Sequence, residues 1–183
     1  MSSERATGFI PVVFCAANHH GDKPRGSLLG ATMKTFSRDG IAFRYPANWA
    51  LDVEEHADRA DTADDEAGGW TATVNSPGTA FLMVSLRPEA GHPADLADQT
   101  LAALRGEYQE FDAQTAVEPV SGQPSVGFDA DFLTFDTATE CRVRALDTFA
   151  GPLLLMAQVS EYDRDAHDPV LRAIVHSLNV DAD

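Results

Sequence analysis

Lysine is almost missing from this chain: of 13 basic residues only Lys23 and Lys34 are lysines. Positive charge as a whole is scarce, because 29 acidic residues, 19 of them aspartate, leave a formal net charge of −16. A surface of that sign repels polyphosphates, so no nucleic acid is expected as a partner, and anionic membranes are equally poor ones. Cysteine is nearly absent too. Cys15 and Cys141 cannot build a disulfide framework, and neither sits in a CxxC pair of the kind that holds zinc or does redox chemistry. Long apolar runs are also lacking. The longest candidate, residues 9–17, is interrupted by Pro11 and falls far short of the roughly 20 residues a membrane span requires. No GxSxG, Walker, HExxH or GxGxxG pattern occurs, and the six histidines are scattered. No catalytic residue, metal site or cofactor is therefore expected, and the first expectation is that the chain is not an enzyme.

What is there begins with the acidity itself. An Asp-rich, Lys-poor surface is the form proteins take in molar salt, and halophilic adaptation is the favoured reading; a GC-rich genome, which favours Asp, Ala and Arg codons, is the other. At 183 residues with 44% hydrophobic content the chain is sized for one core. Residues 1–32 differ from the rest: they cluster Gly, Pro, Asn and His, as in Asn18-His19-His20-Gly21, and show no periodicity. They read as a disordered or mis-assigned extension, with Met33 as a candidate true start. An export signal around residues 9–17 is the alternative, weakened by an n-region in which Glu4 offsets Arg5. The location expected is accordingly cytoplasmic, or exported if residues 1–32 act as a signal.

From residue 33 to the C-terminus the pattern is α+β. Residues 35–38 and 41–45 alternate about Asp39-Gly40, a hairpin dipeptide. Further strands are predicted at 49–53, 70–74 and 80–87. A helix is predicted over 94–111 from the stripe Ala97, Leu101, Leu104, Tyr108 and Phe111, with Pro93 and Asp95 suited to its first turn. Strands follow at 115–118, 126–135, 139–149 and 152–159. Leu153-Leu154-Leu155-Met156 lacks alternation, as a strand covered on both faces should. A last helix is predicted over 169–178 with Asp168 as N-cap and Pro169 at its first position. These elements imply an α/β/α sandwich with a mostly antiparallel central sheet.

The run Asp39-Gly40-Ile41-Ala42-Phe43-Arg44-Tyr45-Pro46-Ala47-Asn48-Trp49 resembles the opening of the PsbP-like family, and the helix Val170-Leu171-Arg172-Ala173-Ile174-Val175-His176-Ser177-Leu178 is similar to its closing one. The order of elements between them also fits, so the resemblance covers about residues 33–180. It implies a fold shared by the photosystem subunit, Ran-binding Mog-type proteins, bacterial DcrB-like envelope proteins and chaperones that mask apolar segments, none of them catalytic. No functional residues carry over, because the matching positions are packing positions; Tyr45 and Trp49 are expected in the core.

Three features remain as candidate sites. The acidic run 58–66 offers Asp61, Asp64 and Asp65 as oxygen ligands for a weak cation site, although it lacks calcium-loop spacing and a solvated loop explains it as well. Asp163, Asp165 and Asp168 around His167 are explained by helix capping. Arg142 and Arg144 point to one face of their strand. If Thr137-Ala138 forms the turn, Arg144 falls opposite Asp131 and Arg142 opposite Leu133, leaving Arg142 as the candidate partner contact. The function expected is a non-enzymatic binding or chaperone-type module with a protein partner, acting through a groove between a sheet face and a helix. The alternatives are a small-molecule or metal-binding enzyme with dispersed residues, and an exported envelope-associated protein.

Overall fold

Asp39 and Gly40 both take positive φ, 49° and 74°, and fold β1 (Met33–Arg38) antiparallel onto β2 (Ile41–Pro46) with Arg38 opposite Ile41. A left-handed pair closes a two-residue hairpin with the twist of its strands, and Gly40 takes its share of that conformation without steric cost. The computed structural model describes residues 32–56 and 68–180. The extension expected over 1–32, with Cys15 and His19-His20, lies outside the described residues except for Thr32, and so does the acidic run with Asp61, Asp64 and Asp65.

The described residues form ten strands and two helices. After the first hairpin come β3 (Ala50–Glu55), β4 (Trp70–Asn75), β5 (Phe81–Leu86), α1 (Pro93–Glu107), β6 (Phe111–Val120), β7 (Gln123–Thr134), β8 (Thr137–Thr148), β9 (Gly151–Ser160), α2 (Arg164–His176) and β10 (Asn179–Val180). Seven strands make one antiparallel sheet in the order β3-β4-β5-β9-β8-β7-β6, and β1-β2-β10 make a second. The sandwich is as expected. Leu96, Ala97 and Leu104 of α1 pack on one face of the large sheet against Met83, Phe128, Val143, Leu154 and Met156. Val170, Leu171 and Ile174 of α2, with Ile41 and Phe43 of the small sheet, pack on the other against Val84, Leu86, Leu153 and Leu155. Successive residues of β9 thus enter opposite cores, which is why its sequence shows no polar alternation.

Trp70 seats the small sheet on the large one. Its ring is fully buried beside Phe36 at 5.2 Å, and its indole N–H donates to Asp39 Oδ2 at 2.8 Å. Without that acceptor a buried donor would be stranded, at about 1–3 kcal/mol. Tyr45 and Trp49 are buried as expected. Cys141 is buried among apolar neighbours, which push its thiol up to about 12.

Several expectations are corrected. The first helix ends at Glu107 rather than 111, because Tyr108 turns extended and stacks on Phe132 at 4.1 Å, with Phe111 already in β6 at 5.9 Å from the same ring. Its buried side is Leu96, Ala97, Thr100 and Leu104, so Tyr108 and Phe111 extend the apolar surface from outside the helix. Pro93 and Asp95 do stand in its first turn, and His92 caps it, Nδ1 accepting from the Ala94 N–H. Helix α2 starts at Arg164, so Pro169 lies inside it and Asp168 is helical rather than a cap. The proline forgoes one backbone bond, to the Asp165 carbonyl. Asp163 secures that early start by accepting from the Thr79 N–H at 2.6 Å and hydroxyl at 2.8 Å. The β7–β8 turn is Phe135-Asp136, both at positive φ, not Thr137-Ala138. Asp131 therefore faces Glu140, Arg144 faces Gly127 and Arg142 faces Asp129.

Candidate functional site

Cross-strand partners share a face. Arg142 is level with Ala157 and Leu82, and Arg144 with Leu155 and Val84, along β8, β9 and β5. Both arginines therefore continue rows of core residues, on the face that α2 covers. The helix covers β5 and β9 but stops short of β6–β8, and the uncovered half of the face becomes the floor of a cleft of about 380 Å³. Leu82, Leu155 and Ala157 give this floor an apolar end; Asp129, Arg142 and Arg144 give it a charged one. One wall is α2, through Leu171, Arg172, Val175 and His176, and the other is the β6–β7 hairpin, through Glu118 to Ser121. Ser121, at positive φ in the hairpin turn, donates to the Leu178 carbonyl at 2.6 Å and ties the two walls together.

Arg144 is structural. Its guanidinium, 8% exposed, gives Nε and Nη2 to Glu118, Nη2 also to Asp129 at 2.8 Å, and Nη1 to the carbonyls of Phe128 and Val143 at 3.1 and 2.8 Å. Gly127 opposite it is required by close approach: a Cβ there would stand 2.0 Å from the Val143 carbonyl oxygen.

Arg142 is differently placed. It pairs with Asp168 of α2, and that carboxylate also accepts from Arg172 Nε at 2.8 Å. Two guanidiniums thus share one carboxylate at the helix edge of the cleft. Burial holds the Arg142 guanidinium below its ordinary value, and the charge of Arg172 lowers it further. In a chain of net charge −16 this is a place where charge is balanced, Arg142, Arg144 and Arg172 standing against Glu118, Asp129 and Asp168.

Of the residues singled out in the sequence, Arg142 and Arg144 line the cleft and Asp168 stands at its edge, whereas Asp163 and His167 have other contacts. Asp163 holds the β4–β5 turn, while His167 sits edge-on to Trp49 with ring centroids 5.6 Å apart. Asp168 leaves its expected capping role to join Arg142 and Arg172. Sequence reasoning missed Arg172, His176 and Glu118. The spacing of Asp168 and Arg172, four apart, was a readable helical ion pair, but its meeting with Arg142 is tertiary. Among the described residues no group of three or more His, Cys, Asp or Glu is placed to hold a metal ion, and no helix is long and apolar enough to cross a membrane.

No protein-family profile matches the chain, and no curated protein matches it. Solved structures do. The solution structure of cyanobacterial PsbP (CyanoP) from Synechocystis sp. PCC 6803 is 13% identical, with 86% of this chain and 98% of that one covered at a TM-score of 0.53. LpqN of Mycobacterium tuberculosis, involved in cell envelope biogenesis, is 12% identical over 81% and 90% at 0.42. PA94 from Pseudomonas aeruginosa, a protein of unknown function, is 12% identical over 79% and 94% at 0.45. The likeness to CyanoP, together with the element order, makes the fold PsbP-like.

Proposed function

On this PsbP-like scaffold we propose a non-enzymatic binding module that takes a protein partner in the cleft between the seven-stranded sheet and α2, with Arg142 as the contact at its floor. The carrying observation is that Arg142 and Arg172 share Asp168 beside an apolar floor. A recognition site wants that mixture: apolar area for affinity and a few polar groups for orientation. Arg144, with all three nitrogens engaged by the protein, shapes the site without facing a partner. Salt adaptation belongs to the same reading, since on an otherwise acidic surface a charge-balanced cleft with two guanidiniums on one carboxylate is the favourable place for a carboxylate to dock.

The test is site-specific photo-crosslinking in the native cell. A photoreactive residue at Val175, in the cleft wall, should give an adduct of one defined mass that Arg142→Gln abolishes. The same residue at Val117, exposed on β6, should not give that adduct. Equal labelling from both positions would place the partner elsewhere. A small molecule retained by the purified protein in native mass spectrometry would favour an enzyme with dispersed residues.

A further inference from the structure

The cleft is small for a protein-binding groove. About 380 Å³ lies near the lower end of the sizes of ligand pockets and suits one or two residues rather than a long segment. Its polarity is divided: aliphatic Leu155, Ala157, Leu171 and Val175 on one side, Arg142 and Arg172 on the other. A guanidinium carries five N–H donors. Arg142 spends one nitrogen on Asp168, and its other nitrogens find no acceptor among the described residues; Arg172 spends Nε on the same carboxylate. The site thus offers forked donors, which match a carboxylate geometrically, within reach of an aliphatic wall.

We propose that the cleft binds the C-terminal residue of its partner, the main-chain carboxylate meeting Arg142 and Arg172 and an aliphatic side chain lying on Leu155, Ala157 and Val175. This rests on the cleft being the binding site. A chain terminus is favoured over an internal acidic side chain because it brings a carboxylate and an apolar side chain on a single Cα, matching a site in which the two surfaces adjoin. It is favoured over a free alkyl acid because the hairpin wall adds acceptors for a backbone N–H, which an alkyl acid lacks: the exposed Glu118 carboxylate beside its bond to Arg144, and the Ser121 hydroxyl oxygen, whose proton goes to Leu178.

Binding of N-acetyl-Ala-Leu, N-acetyl-Ala-Leu-amide and 4-methylpentanoate to the full chain should be followed by nuclear magnetic resonance in 0.5 M KCl, where the repulsion from net charge is screened. The free acid peptide should shift the Arg142 Nε–H and Val175 methyl signals and bind at least tenfold more tightly than the amide. Arg172→Gln, a change at a guanidinium 68% exposed and so harmless to folding, should weaken it three- to tenfold, and Arg142→Gln at least tenfold. Equal affinity for acid and amide overturns carboxylate recognition while cleft shifts would keep the cleft itself as the site. Equal affinity for peptide acid and 4-methylpentanoate overturns the chain terminus in favour of a free alkyl acid. Shifts absent with all three probes overturn the inference, and the crosslink from Val175 then decides separately whether the cleft is used.

Discussion

Arg144→Met removes the cation that joins β6, β7 and β8 while keeping an unbranched chain of comparable length, so the change is in bonding more than in volume. Two of the bonds lost run from a buried charged donor to the carbonyls of Phe128 and Val143, and each is taken at about 1 kcal/mol net. The ion pairs to Glu118 and Asp129 count for less, because those carboxylates are 58% and 54% exposed and rehydrate when abandoned; about 0.5 kcal/mol each is reasonable. The expected loss is about 2–3 kcal/mol, below the cost of breaking a fully buried pair. Urea unfolding with an unchanged m-value measures it. Repeating the titration between 0.05 and 1 M KCl should remove the ion-pair share, roughly a third, and leave the rest. Double-mutant cycles check the register: Asp129→Asn should couple to Arg144 by a few tenths to 1 kcal/mol, and Asp131→Asn by nothing, since Asp131 faces Glu140. A loss below about 1 kcal/mol, or coupling to Asp131 instead of Asp129, would refute this account of Arg144.

Gly127→Ala should destabilise by about 2 kcal/mol or more, because the Cβ meets a backbone carbonyl that cannot swing away; a neutral result in urea would show that β7 and β8 can part there. Cys141, its thiol pushed up to about 12 by burial, should resist thiol reagents at pH 8 in the folded protein and react at once in urea. Burial, aided by the charge of Arg87, holds His56 below its ordinary value; the unfolded chain then takes its proton first, so stability present above about pH 6.5 should decline as pH falls further. His56→Asn should flatten that decline in melting temperature, and an unchanged slope would assign it to other groups. If the acidity is a salt adaptation, the melting temperature should rise between 0.1 and 2 M KCl, with the electrostatic part gained below 0.5 M; a midpoint highest at low salt would return the composition to codon bias.

Most of the fold was legible because it rests on periods and turn chemistry. Asp39-Gly40 announces its hairpin, and the unbroken apolar run of β9 announces a strand between two cores. The β7–β8 turn carries no such mark, since Phe135 and Asp136 take positive φ without a glycine or asparagine. Moving the turn from Thr137-Ala138 to Phe135-Asp136 changes every partner but shifts the register by an even number, so no side chain changes face. Arg142 and Arg144 were therefore rightly placed together, and wrongly paired.

The same distinction governs the cleft. Its floor is a matter of face and could be read; its charge arrangement is a matter of partners and could not. Asp168 decides it. Followed by proline, it reads as a cap outside a helix beginning at 169, and a cap would spend its carboxylate on backbone N–H groups. The helix instead begins at Arg164, held there by Asp163 on Thr79, across 84 residues of sequence. One further turn makes Asp168 helical, sets it four residues before Arg172 and directs it at Arg142. A long-range contact made by Asp163 thus determines whether Arg142 and Arg172 share a carboxylate, and local sequence carries no signal for such a contact.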